Sequence, residues 1–352
     1  MSQHQFFDAL EQRSPAARAA DHFSALPAQI RHAQAHAPAL ATILQGVDAQ
    51  AITTRAALAR LPVTRKYELL ALQQKHRAPG GSGNVFGGFS ALAFGASMPR
   101  VFASPGTLYE PEGTRKDYWR VARALYAAGM RSGDLVHNSF SYHFVPAGSM
   151  MESGAHALGC TVFPGGTGQT EQQVQAMAEL RPAAYVGTPS FLKIIVEKAA
   201  AMNVPLPSVT KALVSGEAFP PSLRDWLAQR GITAYQCYAT ADLGLIAYET
   251  EAREGLVLDE GVIVEIVRPG TGDPVPEGEV GELVVTTLNP DYPLIRFGTG
   301  DLSAVLPGAC PTGRTNTRIK GWLGRADQTT KVRGMFVHPG QVAAVLKRHP
   351  EL

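Results

Sequence analysis

Between about residue 134 and residue 240, short apolar runs alternate with helix-patterned stretches, and no other feature restricts the fold as tightly. DLVHNSF, CTVFPG, AAYVGTP, KALVSGE and ITAYQCY read as buried strands. Helices with recognisable starts fall between them. Thr170 reads as the N-cap of EQQVQAMAEL, Ser190 precedes FLKIIVEKAAAM, and Ser222 with Asp225 makes a capping-box pattern before a helix ending at Gly231. Ahead of this block, Tyr118, Val121, Ala122, Leu125 and Tyr126 recur at helical spacing, with Gly129 as a stop. Such alternation predicts an α/β layer built on a largely parallel sheet.

After about Ala247 the character changes. GLVLDEGVIVEIVRPGTGDPVPEGEVGELVVTTL has alternating or β-branched runs broken by Gly/Pro turns, which predicts an antiparallel β subdomain. The first hundred residues are Ala-rich with helical periodicity and loosen into the loop Pro79–Asn84. The fold class expected is therefore multidomain α/β, with parallel-sheet subdomains to about 247 and a β-rich part over about 248–326.

Composition removes several function classes. A net charge of +2 over 352 residues gives no support for an extended nucleic-acid or membrane surface. MSQHQFFDALEQRSPAARAA lacks a signal-peptide apolar run, and no stretch approaches the roughly 18 apolar residues of a membrane span, so a cytoplasmic protein is expected. Cys160, Cys237 and Cys310 are far apart and odd in number, which argues for incidental thiols in a reducing compartment.

The most informative segment is Tyr292-Pro293-Leu294-Ile295-Arg296-Phe297-Gly298-Thr299-Gly300-Asp301-Leu302. A strand-like run enters a Gly turn bearing one carboxylate, and an ionised acceptor of that kind can take two strong hydrogen bonds from vicinal hydroxyls. The tripeptide alone is a weak signal, because Thr271-Gly272-Asp273 repeats it in what reads as a plain turn.

PLIRFGTGDLS followed by GRADQTTKVRGMFVHPGQV resembles the paired late motifs of adenylate-forming ligases, and the preceding GTGDPVPEGEVGELVVTTL looks like their phenylacetate–CoA ligase branch. AAYVGTPSFL, ALVSGEAFP and ITAYQCYATADLGLIAYE fall upstream in the order that branch would show, so the resemblance runs from about residue 85 to the end. It implies an acyl-CoA synthetase-like N-terminal domain over 1–326, with 327–352 as a hinge and the start of an incomplete C-terminal domain. It also implies a two-step reaction. ATP and a small carboxylic acid, aryl or otherwise, give acyl-AMP, and a thiol such as coenzyme A then takes the acyl group, with Mg²⁺ assisting.

Carried over by the resemblance, Asp301 would hold the ribose hydroxyls, with Arg325 beside the sugar or phosphate. Asp327 would be the hinge. Ser215, Gly216, Glu217 and Ala218 would line the adenine and acyl pocket, with Tyr238 and Ala239 near adenine. Tyr142, Val145, Pro146 and Ala147 fall where the family shapes its aryl-acid pocket, though a core segment at a strand end reads equally well. A homodimer is implied at the family level only.

The chain departs from the family pattern in four places. In the phosphate-loop stretch Ser104-Pro105-Gly106-Thr107-Leu108-Tyr109-Glu110-Pro111, Ser104, Gly106 and Thr107 remain, but Pro105 removes a donor and Glu110 puts an anion where a cation belongs. Ala241-Asp242 replaces the Ser/Thr-Glu pair, leaving Asp242 as a catalytic or Mg²⁺ residue or else a helix cap. Cys310-Pro311-Thr312 lacks the second cysteine of a zinc site, so no zinc is expected. Finally, the chain runs only a short way past Asp327, and Lys331 belongs to the hinge-side motif, so little activity is expected of this chain alone. These departures motivate a second reading, a non-catalytic or weakly active adenine-nucleotide-binding module. Gly165-Gly166-Thr167-Gly168 has no following Lys and is no Walker loop, and His143 reads as a pocket or surface residue.

Overall fold

The computed structural model describes residues 5–104, 107–326, 330–332 and 335–337. The chain divides into two compact units. One takes in Met1–Gln12, Phe94–Glu260 and Cys310–Asn316, the other Arg13–Ala93, Gly261–Ala309 and Thr317–Leu352.

The first unit opens with an antiparallel hairpin, β1 (Arg100–Ser104) and β2 (Leu108–Glu112). Its sheet then uses β3 (Leu135–Asn138), β4 (Thr161–Pro164), β5 (Ala184–Gly187), β6 (Lys211–Val214), β7 (Thr233–Thr240), β8 (Gly244–Glu249) and β9 (Leu256–Leu258). The spatial order is β4-β3-β5-β6-β7-β8-β9. Pairing is parallel from β4 through β7 and antiparallel from β7 through β9. Each of the five apolar runs read from the sequence supplies one parallel strand.

Side chains alternate across this sheet, so one strand feeds two cores. Ala184, Val186 and Leu213 pack with Val121, Leu125, Met150 and Ala155, beneath α1 (Ala122–Ala127) and α2 (Ala147–Leu158). Tyr185 and Val214 face the other way, toward Val174, Met177, Leu192, Ile195 and Leu227. Those come from α3 (Thr170–Leu180), α4 (Pro189–Ala201) and α5 (Pro221–Ala228). The helices arise where expected, but their starts differ. Gln169, at φ +47°, is the N-cap of α3, so Thr170 is its first helical residue. Thr188 caps α4 by accepting from the Phe191 amide at 3.3 Å. α5 begins after Pro220 without a side-chain cap, leaving Ser222 inside the helix. α1 is shorter than its periodicity predicts, because Asp117 accepts from the Val121 and Ala122 amides and sets the start there.

The second unit contains the antiparallel sheet predicted after Ala247: β10 (Val262–Val267), β11 (Gly281–Thr287) and β12 (Phe297–Ser303). A two-residue strand, Thr64–Arg65, adds in parallel to β12. The long helix Pro15–His36 belongs to this unit, where Gln29 Nε2 donates to the carbonyls of Thr287 and Asn289. Arg296, 1% exposed and at φ +47°, ties the unit together. It donates to Glu265 at 2.9 and 3.2 Å and to the carbonyls of Ala59, Leu61 and Gly272. No described helix is long and apolar enough to cross a membrane.

Candidate functional site

In an open parallel sheet, ligands bind beyond the C-terminal strand ends, near the point where strand order reverses. In the first unit that edge gathers most of the residues singled out from sequence. Ser215 to Ala218 leave the end of β6. Ser215 is buried and its hydroxyl donates to the Cys237 carbonyl at 2.8 Å, which fastens the end of β6 to β7. Gly216, Glu217 and Ala218 are exposed. The Glu217 carboxylate accepts from the Ser190 amide at 2.7 Å, at the positive end of α4.

Tyr238 and Ala239 close β7, opposite a bulge. β8 carries one extra residue there, Ile246, whose carbonyl accepts from the Asp259 amide at 2.9 Å. Bulges re-aim the side chains beside them. The turn Ala241-Asp242-Leu243 then leads into β8, and Leu243 N donates to Thr240 Oγ1 at 3.2 Å. Asp242 is buried, and a strand rather than a helix follows it, so the helix-cap alternative is ruled out.

Tyr142, Val145 and Pro146 bridge β3 to α2, and Ala147 opens that helix. The Tyr142 hydroxyl accepts from Asn138 Nδ2 at 2.8 Å and donates to Glu152 at 2.7 Å. Burial and that carboxylate push the phenol well above its usual range. Phe144, missed from sequence, is 81% exposed at φ +61°. Val145 N donates to the His143 carbonyl across it, a tight three-residue turn, while the Phe144 carbonyl accepts from Ala103 N of β1. On β3, His137 Nε2 donates to Gln173 Oε1 at 2.7 Å, and burial lowers the imidazole pKa.

The hairpin corrects one expectation. Glu110 is buried, and the Ser104 hydroxyl donates to its carboxylate at 2.8 Å, so this anion is turned into the hairpin. Thr107 is exposed at φ +64° in the turn between the strands. Gly106 lies outside the described residues, as do Asp327 and Gly334.

In the second unit, Asp301 sits in β12 with its amide donating to Thr299 Oγ1 at 3.1 Å. The segment 320–325 runs antiparallel beside it. Leu302 N donates to the Gly324 carbonyl, Leu323 N to the Leu302 carbonyl, and Lys320 N to the Ala304 carbonyl. That zipper brings Arg325 Nη1 to 3.1 Å from Asp301 Oδ1 and 3.3 Å from the Thr299 carbonyl. Gly300 makes the approach possible. Its φ is +75°, and a methyl group there would lie 2.6 Å from Arg325 Nη2. The structure adds a partner that sequence reasoning missed: Trp322 Nε1 donates to the same Oδ1 at 3.1 Å.

Among the described residues no group of three His, Cys, Asp or Glu could hold a metal. Asp242 supplies a single hard oxygen donor. Mg²⁺ is commonly held by one or two carboxylates plus substrate phosphates, so the residue fits that ion.

Residues 115–289 match the family described as AMP-binding enzyme. The phenylacetate-coenzyme A ligase of Thermus thermophilus is 34% identical over 322 residues, which are 87% of this chain and 69% of that protein. The phenylacetate-coenzyme A ligase of Aromatoleum evansii is 32% identical over 340 residues, 92% of this chain and 74% of that protein. Among solved structures, a 2-hydroxyisobutyryl-CoA ligase in an open conformation with 2-HIB-AMP and CoA has a TM-score of 0.86 at 24% identity. The match spans 99% of this chain and 84% of that one, and the two share a fold.

Proposed function

The chain belongs to the phenylacetate–coenzyme A ligase family of AMP-binding enzymes, and from that membership we infer that it joins a carboxylic acid to coenzyme A through an acyl adenylate. The carrying observation is 34% identity to a ligase over 322 residues, a span long enough to include candidate residues from each of the two units. None of the relatives reported above supports the non-catalytic module. Its main electrostatic motive also weakens, because Glu110 is buried against Ser104.

In the first half-reaction the acid's carboxylate oxygen attacks the α-phosphorus of ATP, and the bond to the β-phosphate oxygen breaks to release pyrophosphate. In the second, the coenzyme A sulfur attacks the acyl carbon, and AMP leaves with the electron pair of the anhydride bond. Asp301 accepts hydrogen bonds from the ribose hydroxyls, and Arg325 holds that carboxylate in place. Tyr238 and Ala239 sit against adenine, with the Ser215–Ala218 segment between base and acyl group. Tyr142, Val145, Pro146 and Ala147 shape the acid pocket, and the exposed ring of Phe144 offers it an aromatic face. Thr107, exposed in the β1–β2 turn, would meet the phosphates, and Ser104 and Gly106 of the same stretch are assigned to them by the resemblance alone. Asp242 would hold Mg²⁺, which when bound offsets phosphate charge. An aryl or small organic acid is the substrate class in view.

Pyrophosphate release with a panel of aryl and short-chain acids, followed by thioester formation with coenzyme A, is the direct assay. A folded protein that releases none with any acid would count decisively against the reading.

A further inference from the structure

We propose that Trp322 is a positioning residue for nucleotide binding, its indole N–H acting with the Arg325 guanidinium to fix the Asp301 carboxylate for the ribose hydroxyls. This rests on the ribose role of Asp301 given above.

An aspartate turns about two side-chain bonds, so one donor anchors an oxygen without fixing the plane of the group. Here two donors, Trp322 Nε1 and Arg325 Nη1, reach the same Oδ1, each at 3.1 Å. They come from two residues of one backbone segment, so the oxygen is held by two bonds where one would leave the group free to turn. The segment itself is held. Besides the Leu323 N, Leu302 N and Lys320 N bonds, the Ser303 hydroxyl donates to the Gly321 carbonyl at 2.7 Å, directly before Trp322.

The burial of the ring supports the same role. Trp119, 3% exposed, is a core residue, whereas Trp322 leaves 54% of its surface to solvent. A tryptophan retained for packing would bury its ring. In Trp322 the polar edge is engaged and the apolar faces are largely uncovered, so its contribution runs through the N–H. A bond from a neutral donor to a carboxylate is stronger than one between neutral partners.

Trp322→Phe keeps an aromatic ring and deletes the donor, and at an exposed position it leaves the fold intact. Dissociation constants for AMP and for 2′,3′-dideoxy-AMP are measured by calorimetry on the unaltered chain, on Trp322→Phe and on Asp301→Ala. The expected result is roughly five-fold weaker AMP binding by Trp322→Phe, with no change toward the dideoxynucleotide, which lacks the hydroxyls Asp301 grips. Equal losses toward both nucleotides would show a merely structural role and overturn the proposal. So would AMP binding unchanged by Trp322→Phe but lost in Asp301→Ala, and that pattern leaves the ribose reading standing. AMP binding unchanged by Asp301→Ala would instead sink the reading beneath it.

Discussion

Thr271-Gly272-Asp273 and Thr299-Gly300-Asp301 are the same three residues in the same β-rich unit, and they share one local hydrogen bond, although only Gly300 takes a positive φ. In each, the aspartate amide donates to the threonine hydroxyl at 3.1 Å. In each, the glycine lies against an arginine. A methyl group on Gly272 would sit 3.3 Å from Arg296 Nη1, and one on Gly300 would sit 2.6 Å from Arg325 Nη2. What differs is where the arginine directs its charge. Arg296 gives its donors to Glu265 and three carbonyls, including that of Gly272, and Asp273 is left exposed. Arg325 donates to the aspartate itself. The tripeptide encodes the bond from the aspartate amide to the threonine hydroxyl. The neighbouring guanidinium decides whether that segment is structural or presents a held carboxylate.

The largest effect should come from the structural side. Arg296→Met leaves Glu265 buried without its cation and should cost about 3–5 kcal/mol of stability in urea unfolding. Arg325→Met, at a pair whose arginine is 38% exposed, should cost less than about 1 kcal/mol. Equal costs would erase the distinction.

Next is ligand binding. Asp301→Ala should weaken AMP by about ten- to a hundred-fold, since bonds to a charged acceptor are lost, while Asp273→Ala should leave it unchanged in the same calorimeter. A matching loss at both positions would mean that the tripeptide, and not its neighbour, makes the site.

The glycines give a smaller contrast. Gly300→Ala forces a side chain into φ +75° against Arg325 and should cost about 1–2 kcal/mol, with weaker AMP binding. At Gly272 the same change meets only the ordinary edge of tight contact, so a few tenths of a kcal/mol is expected.

The smallest effect is in pH. Burial pushes the Glu265 carboxyl above its ordinary value of 4.5, against the pull of Arg296. A carboxyl whose pKa is raised by folding binds its proton more tightly in the folded state. Its contribution is therefore fully present below about 4.5 and declines as pH rises through the folded value. Glu265→Gln should remove that decline from a stability–pH profile, whereas Asp273→Asn should not alter it.

The sequence disclosed these regions unevenly, for physical reasons. The five parallel strands were legible as short apolar runs between helical patterns, and three of them, β3, β5 and β6, are buried along almost their whole length. Helix starts were misplaced at Thr170 and Ser222, since capping depends on backbone angles that a Ser or Thr in the right place does not guarantee. The resemblance set Asp301 and Arg325 beside one sugar, and the two side chains lie 3.1 Å apart. Trp322 was not legible, because its N–H meets Asp301 only once 320–325 has zipped alongside β12. Residue-type reasoning about Glu110 set an anion in the phosphate loop where a cation belongs, and only the β1–β2 pairing reveals that it turns toward Ser104. Nor does local pattern disclose that Pro15–His36 belongs with strands more than two hundred residues away, a pairing made by Gln29 and the carbonyls of Thr287 and Asn289.

The supernumerary Ile246 puts β7 and β8 out of step, so chain length at this hairpin carries information of its own. Deleting that one residue would let the strands count evenly, and side-chain facing has a period of two. Tyr238 on one side of the irregularity and the tip bearing Asp242 on the other would then lose their present phase relation, although every amino acid named in the site would still be there. Homologues aligned by identity alone could therefore share each residue of this segment and still differ in what it presents.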